Sequence, residues 1–392
     1  MSSVLTESVI VIGGGPVGAT LALTLQTKGV PVTILEARAK GAAYQDQRAL
    51  ALSYGSRRIL ERLGVWQKLA TKATAINTIH ISQRGSMGRS LLKAQDHELL
   101  ALGYVLSYGA LTQALDEKLA EFSGVKIIYE AEATHIEPAL ENASVTFNHQ
   151  SQVQELAGKI LVLADGGRSL GDIPGMSRET KVYGHDALVS KVQCELPHDN
   201  VAYERFTPMG PVALLPNGER DFSLVWTGNQ AQVAEIMQLD DATFLSRLHE
   251  HFGDRVGRFM SVEKRLTFPL KLSYLNPVTA PHLVVIGNAA QTMHPVAGQG
   301  FNVGLRDAYE LANTIAETKP ADWGEVSMLE AYQKGRKNDT KRGLMFTDFL
   351  VNLFSNDVAG VSSMRGFGLG LFDLLGPIKS RVVNKMSFGS RG

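Results

Sequence analysis

Residues 8–36 constrain the fold more than any other stretch of this chain. Ser8 to Gly13 reads as a short apolar strand running into G-G-G-P-V-G, and Ala19 to Leu25 continue as an Ala/Leu-rich helix. Val32 to Leu35 form a second strand that ends at Glu36. Gly13, Gly15 and Gly18 keep the G-x-G-x-x-G spacing. The first glycine makes the turn, the second lets a pyrophosphate approach the backbone, and the third lets helix and strand pack closely. Pro16 is tolerable because a first-turn position needs no intrahelical N–H bond. Glu36 stands where a carboxylate accepts hydrogen bonds from ribose hydroxyls. Strand, glycines, helix, strand and acid in this order predict a parallel α/β unit that holds a dinucleotide. An acid at that place fits a free 2′-hydroxyl, so the adenosine half belongs to FAD or NAD rather than NADP.

The second informative stretch is Gly287 to Asp307, G-N-A-A-Q-T-M-H-P-V-A-G-Q-G-F-N-V-G-L-R-D. The apolar run His282 to Ile286 before it reads as a buried strand, and Phe301, Val303, Leu305, Ala308, Leu311 and Ile315 after it recur at helical spacing. Gly298 and Gly300 can turn tightly and offer bare backbone N–H groups, while Ala289 and Ala290 keep the strand exit flat. A loop that empties into a helix N-terminus favours negative charge, which suits the N1–C2=O edge of a reduced flavin. The simpler alternative is a Gly-rich turn before an ordinary helix. Taken with the first loop, this stretch selects FAD.

Composition excludes several function classes. Lys plus Arg equals Asp plus Glu, 39 each, so there is no electrostatic case for a nucleic-acid partner. One cysteine, Cys194, excludes an internal disulfide and fits a reducing cytoplasm. No charged-then-apolar signal segment opens the chain, since the run Val9 to Ile12 is too short. No apolar stretch approaches the roughly 20 residues that span a bilayer. A soluble or membrane-peripheral protein is expected. His249 and His251 frame Glu250, but their spacing points them to different sides of a helix, so no metal site is expected there.

Between the two loops, Ser53 is expected to cap a helix running to Leu63, with Gly64 ending it. Ile76 to Ser82 alternates like a half-exposed strand, Thr112 to Phe122 is helical, and Val125 to Tyr129 is a strand. Ala143 to Asn148 and Gln152 to Leu156 look like a hairpin, and Ile160 to Leu163 like a further buried strand closed by Ala164-Asp165-Gly166. From Lys181 to Phe268 short alternating runs separated by turns such as Asn217-Gly218 suggest antiparallel hairpins. Phe206, Leu214 and Trp226 face either a substrate or an ordinary sheet core. After Gly343, Leu344 to Phe354 forms an amphipathic pattern, and Lys379, Arg381 and Lys385 follow. Core packing and a partner or membrane contact both remain open for it.

The run His294 to Asp307, H-P-V-A-G-Q-G-F-N-V-G-L-R-D, resembles the signature of the ubiquinone-biosynthesis monooxygenases. These belong to the flavin-dependent aromatic hydroxylases similar to para-hydroxybenzoate hydroxylase. Asp46 to Ser53 resembles that family's D-x-R-A-x-A-L-S segment, which implies that Arg48 reaches the pyrophosphate; a solvated arginine is the alternative. Asp165 and Gly166 resemble its second fingerprint, on the flavin pyrophosphate side, with an Asx-Gly turn as the alternative. That fingerprint continues with Ser and Arg; Ser169 is present, but Asp172 stands where the Arg would fall. The wider class shows G-D-A-A-H at the strand exit, where the Asp bonds the ribityl chain. Here Asn288 and Gln291 replace Asp and His, as in the branch that hydroxylates a 2-polyprenyl-6-methoxyphenol.

The resemblance implies a Rossmann-type FAD-binding domain over 1–75, 98–180 and 269–343. It also implies an inserted antiparallel substrate domain over 76–97 and 181–268, and C-terminal helices over 344–392. It implies hydroxylation of a polyprenylated phenol by O2 through a flavin C4a-hydroperoxide. NAD(P)H is a candidate electron donor, and a ubiquinone-biosynthesis complex and the inner-membrane surface are candidate contacts. Gln299 joins Gly298 and Gly300 against the isoalloxazine, with His294 and Pro295 as the groups nearest the chemistry. Another ring hydroxylase of the same pathway, an FAD oxidase or dehydrogenase, and a flavin-binding subunit without turnover are the alternatives.

Overall fold

The computed structural model describes residues 6–85, 89–171, 173–207, 210–292, 299–336 and 383. Among them the strands form three sheets. The first is built on β1 (Thr6–Ile12), β2 (Val32–Glu36), β8 (Val125–Tyr129), β11 (Gln152–Leu163) and β19 (Leu283–Val285), in the order β19-β11-β1-β2-β8. All four of those pairings are parallel. β18 (Thr279–Ala280) adds an antiparallel edge, and β9 (Glu132–Glu137) and β10 (Ala143–His149) extend the sheet from the first half of β11. Val9, Ile10, Val11, Ile34 and Leu161 to Leu163 are almost inaccessible, which is why these strands read as unbroken apolar runs. The helix α1 (Pro16–Gln26) packs on this core with α4 (Tyr108–Leu119) and α7 (Gln299–Glu317).

The hairpin expected before Ala164 is longer than its alternation suggested. β10 and β11 pair antiparallel through Gln150 and Ser151, both at positive φ, and β11 then runs unbroken into the parallel sheet. Gly158, inside that strand, lets Ile10 come close, so the interruption in the apolar pattern is a packing site and not a turn.

The second sheet carries β5 (Thr78–Gln83), β6 (Arg89–Lys93), β12 (Ser177–Cys194), β13 (Val201–Phe206), β14 (Val212–Pro216), β15 (Asp221–Asn229), β16 (Phe259–Val262), β17 (Leu266–Asn276) and β20 (Gln291–Thr292). Its path is β20-β17-β12-β15-β14-β13-β5-β6, antiparallel except for β13 against β5. β12 and β17 are long partners that run through 181 and 268, so a two-stranded ribbon passes the expected boundaries. One face is covered by α5 (Gln230–Met237) and α6 (Asp241–Phe252). An Asn229/Gln232 capping box starts α5 and Asp240 caps α6. Leu214 and Trp226 lie in that covered core, with the Trp226 ring 4.9 Å from His251 and 6.1 Å from Phe244. Of the two readings for these side chains, ordinary core is the one observed.

The third sheet joins β3 (Ala49–Ser53), β7 (Gly103–Ser107) and β4 (Thr74–Ile76). Ser53 caps α2 (Tyr54–Arg62) through Ser56 N, as expected, and the short α3 (Trp66–Leu69) follows. A last described helix covers 326–336. Its Arg336 makes a bidentate pair with Asp307 of α7, at 2.7 and 2.8 Å, both side chains buried. The tail after residue 343, including Leu344 to Phe354, lies outside the described residues apart from Val383, which is buried beside Ile76, Val105 and Ala202. No helix among the described residues is long and apolar enough to cross a membrane.

Removing one partner of a buried ion pair strands the other. Arg336→Ala is therefore expected to lower stability by about 3–5 kcal/mol. An Asp307→Leu/Arg336→Met double variant should recover much of that loss. Urea denaturation of the three proteins checks both expectations.

Candidate functional site

At the first loop the three glycines have different constraints. Gly13 turns at φ +102° and donates to Leu35 O at 2.8 Å; a Cβ there would lie 2.7 Å from Asp165 Cα. A Cβ on Gly18 would sit 2.0 Å from Gly13 O, so any side chain there breaks the packing of helix on loop. Gly15 has an ordinary backbone, φ −63° and ψ 176°, and its Cβ would meet only Tyr108 Oη at 3.3 Å. It is bare toward the outside, at the start of a helix whose N-terminus no side chain caps. That is the arrangement of an anion cradle.

Glu36 is 4% exposed at the end of β2. Its Oε2 accepts from Gly14 N at 2.7 Å and its Oε1 from Arg38 N at 3.0 Å and Arg38 Nε at 2.7 Å. Burial raises the carboxyl's pKa, but the Arg38 bonds and charge outweigh it and hold the group below its ordinary value. It is thus an ionised acceptor, with only a 3.4 Å contact from Arg38 Nη2 as its remaining partner on Oε2. A pocket beside it is lined by Gly14, Arg38, Ala42, Tyr44 and Tyr129. Arg48 stacks over the Tyr108 ring at 5.1 Å and holds Asp46, so it stands at the rim of the Gly15 cradle.

The other two loops close on the first. Asp165 accepts from Gly167 N at 2.8 Å and Ser169 N at 2.7 Å, so its carboxylate shapes its own turn, with Gly166 and Gly167 at positive φ. A Cβ on Gly167 would lie 3.5 Å from Ala289 Cα. Arg178 of β12 donates to Ala289 O at 2.5 Å and to Ser273 Oγ at 3.2 Å. Gly287 turns at φ +63°, its would-be Cβ 3.2 Å from Val17 of α1, and Gly304 of α7 presses on the same valine at 3.0 Å. Asn288, in the turn that follows, is exposed. The structure thus brings Gly13, Gly15, Gly18, Asp165, Gly166 and Asn288 to one end of α1. Gln299 and Gly300 begin α7, two residues earlier than its apolar periodicity indicated. His294, Pro295 and Gly298 lie outside the described residues.

Sequence reasoning missed the residues that hold these loops in place. Asn302 accepts from Ser53 N at 2.8 Å and Ser56 Oγ at 2.7 Å, and donates to Ala51 O at 2.9 Å. Gln291 reaches Asp307 at 3.3 Å, joining the strand exit to the buried pair with Arg336. Those partners are far apart in the chain, and no local spacing signals them. Among the described residues no group of three or more His, Cys, Asp or Glu could hold a metal. Cys194 is buried and its thiol is pushed up to about 12, so it is unreactive.

Comparison with known proteins agrees with this geometry. Residues 6–347 match the family described as FAD binding domain. The chain is 35% identical over 388 residues to the ubiquinone hydroxylase UbiL of Rhodospirillum rubrum, covering 97% of this chain and 89% of that one. It is 27% identical over 391 residues to the 3-demethoxyubiquinol 3-hydroxylase of Escherichia coli, covering 96% and 97%. Among solved structures, the p-nitrophenol 4-monooxygenase PnpA of Pseudomonas putida superposes with a TM-score of 0.82 over 99% of this chain and 100% of that one, at 17% identity. The fold is therefore that of the para-hydroxybenzoate hydroxylase-like flavoproteins. The bare Gly15, the uncapped α1 and the acceptor Glu36 fit the pyrophosphate and ribose of FAD.

Gly15→Val should fold and lose its yellow colour, because the new side chain meets ligand and little protein. Gly18→Val should fail to fold, because it meets backbone. Flavin absorbance and circular dichroism separate the two. Asn288→Asp is expected to keep FAD. Asn288→Leu should weaken FAD binding by about 1–3 kcal/mol, the usual cost of a polar group left without its partner. Flavin titration of the apoprotein measures both, and unchanged affinity in the leucine variant would show that Asn288 does not touch the cofactor.

Proposed function

We propose a reaction from one premise: the chain belongs to the FAD-dependent monooxygenase family of ubiquinone biosynthesis. It is an FAD-dependent aromatic hydroxylase. Its proposed substrate is a 2-polyprenyl-6-methoxyphenol, hydroxylated para to the existing phenolic oxygen. The aromatic C–H becomes C–OH, the second atom of O2 leaves as water, and reduced FAD is oxidised. Bound FAD supplies the two electrons and the activation of O2. NAD(P)H is the proposed donor that reduces it.

The protein's part is to hold, orient and exclude water. Gly15 and the first turn of α1 take the pyrophosphate, Glu36 the ribose hydroxyls, and Arg48 a phosphate oxygen. Asn288 takes the ribityl chain, and Gly300 with Gln299 the edge of the ring system. Asp165 and Gly166 act by fixing the turn that packs on Gly13. His294, Pro295 and Gly298 are proposed to complete the loop. The observation that carries the reading is the convergence of all three glycine turns on the N-terminus of α1. The Asn288/Gln291 pair supports the methoxyphenol over other rings of the pathway. The domain division, a peripheral contact with the inner membrane through the segment after Gly343, and a place in a ubiquinone-biosynthesis complex belong to the same proposal.

Cells lacking the protein should accumulate the prenylated methoxyphenol, and complementation should need oxygen. With 18O2 the purified enzyme should place one labelled atom in the ring. Activity should fall steeply as the tail is shortened, since each buried Å² of it contributes about 25 cal/mol. Normal quinone levels under aerobic growth in cells without a redundant hydroxylase would remove the substrate assignment. An unlabelled product would favour an oxidase.

A further inference from the structure

The face of the second sheet opposite α5 and α6 carries one cross-strand row that the registers define residue by residue. Ile81 pairs Glu204, Glu204 pairs Ala213, Ala213 pairs Val225, Val225 pairs Val189, and Val189 pairs Leu266. Paired residues point to the same side of a sheet. The alternate residues Tyr203, Leu214, Leu224, Trp226 and Leu188 form the helix-covered core, so this row faces the other way. From Ile81 to Val189 each member is half-buried, and Leu266 is exposed. The row is therefore a half-buried apolar strip with one ionisable group in it.

At its Ile81 end the strip meets the third sheet, whose β3 touches α7. Ile81, with Ile79 and Leu215 one row away, packs in the same cluster as Ala49 of β3. The carbonyl of Ala51, two residues on, receives Asn302 of the flavin loop's helix. The Glu204 carboxyl has no hydrogen-bond or ion-pair partner among the described residues. A carboxyl partly withdrawn from water among apolar side chains and left unpaired is free to accept a hydrogen bond from a ligand.

We propose that Glu204 receives the phenolic hydroxyl of the ring and takes its proton, while the tail lies along Ala213, Val225 and Val189. This rests on the hydroxylase reading above. The phenol O–H bond breaks, its electron pair stays on the oxygen, and the proton forms a bond to the Glu204 carboxylate. The resulting phenolate is richer in electrons at the para carbon. When that carbon, now bearing oxygen, loses its own hydrogen as a proton, Glu204 returns the first proton to the phenolic oxygen. The small and β-branched side chains leave room for a flexible apolar chain, which would leave at exposed Leu266 and Phe268.

The surrounding charges leave Glu204 to titrate alone. His80 and Arg205 lie on the reverse face, Arg205 reaching His251 O, and Lys191, one row away, is held by Asp221 at 2.9 Å. On the β3 side Arg48 is paired with Asp46. Burial alone pushes the Glu204 carboxyl up to about 7. Because the ionised form is the acceptor, hydroxylation should rise as pH climbs through that value.

The test uses the FAD-loaded enzyme and 2-methoxy-6-prenylphenol beside its methyl ether. At pH 8 the wild type should bind the phenol at least about tenfold tighter than the ether, read from the flavin difference spectrum, since an ionised acceptor contributes about 1.5–3 kcal/mol. Glu204→Leu should bind the two alike. Glu204→Gln can accept a hydrogen bond but no proton. After chemical reduction and mixing with O2, it should hydroxylate about 100-fold more slowly than the wild type. Its rate should not change between about pH 6 and 8. A glutamine variant with the wild-type rate and pH dependence would overturn the assignment and leave the hydroxylase reading intact. So would a leucine variant that still prefers the phenol. If the leucine variant does not fold, the glutamine variant decides alone. A yellow wild-type protein that binds neither compound would overturn the hydroxylase reading and this assignment with it.

Discussion

The structure depends on how closely backbones approach at the N-terminus of α1. Gly18 lets the helix touch Gly13 O, Gly13 lets the turn touch Asp165, and Gly287 and Gly304 press on Val17 from the other side. Each contact is too short for a Cβ or at the limit of one, so the glycines are required by packing as much as by ligand. Once those contacts are made, the strand ends of β1, β11 and β19 lie side by side in the parallel sheet. Their three loops must then open on the same edge, where ligands bind in open α/β sheets. Gly15 differs from the rest, because a Cβ there would meet no backbone, only the tip of the Tyr108 side chain at 3.3 Å.

Polar residues of the second signature add a longer-range layer. Asn302 satisfies a strand N–H, a helix-cap hydroxyl and a strand carbonyl in one place. It thereby locks β3 and α2 to the first turns of α7. Asp307 anchors the same helix from its other side through Arg336 and Gln291. Buried polar groups satisfied in this way fix a register, where apolar contacts alone would allow sliding. The Gln291 that departs from the wider family's His is thus a member of this network, with its Oε1 buried and without a partner.

Much of the fold was legible because its signals are local. The strand–glycine–helix–strand unit, the Ser53 cap and the Asn217-Gly218 turn each declare themselves within a few residues. Gly158 hid the continuity of β11, because an interrupted apolar pattern and a tight packing site look alike along the chain. The parallel pairing of β13 with β5 joins residues more than a hundred positions apart and carries no turn signal. In the site, the glycines and Glu36 were readable from their spacing. Arg178, Asn302 and Arg336 were not, since what defines each is a partner brought near only by the completed fold. Glu204 was invisible for a further reason: its proposed role comes from having no side-chain partner among the described residues, and sequence cannot show that.

The second sheet is fastened to the turn that follows β19 by a short set of bonds. β20 leaves the turn at Asn288 and pairs β17 at Ser273 and Tyr274, and Arg178 of β12 grips Ala289 O and Ser273 Oγ. The ribbon of β12 and β17 is therefore attached to that turn at one end. At its other end it carries Val189 and Leu266, members of the row that holds Glu204. A sheet fastened in this way cannot drift relative to the turn without breaking a charge-assisted bond and two ladder pairs. Such rigidity matters for a reaction whose hard chemistry belongs to a bound group, because the protein's main lever is then the position of one ring carbon. A misplacement of about 1 Å can cost on the order of 100-fold in rate. The fold answers that demand with hydrogen bonds from the second sheet to the turn after β19, and on the proposed reading the apolar strip is left to accept the tail.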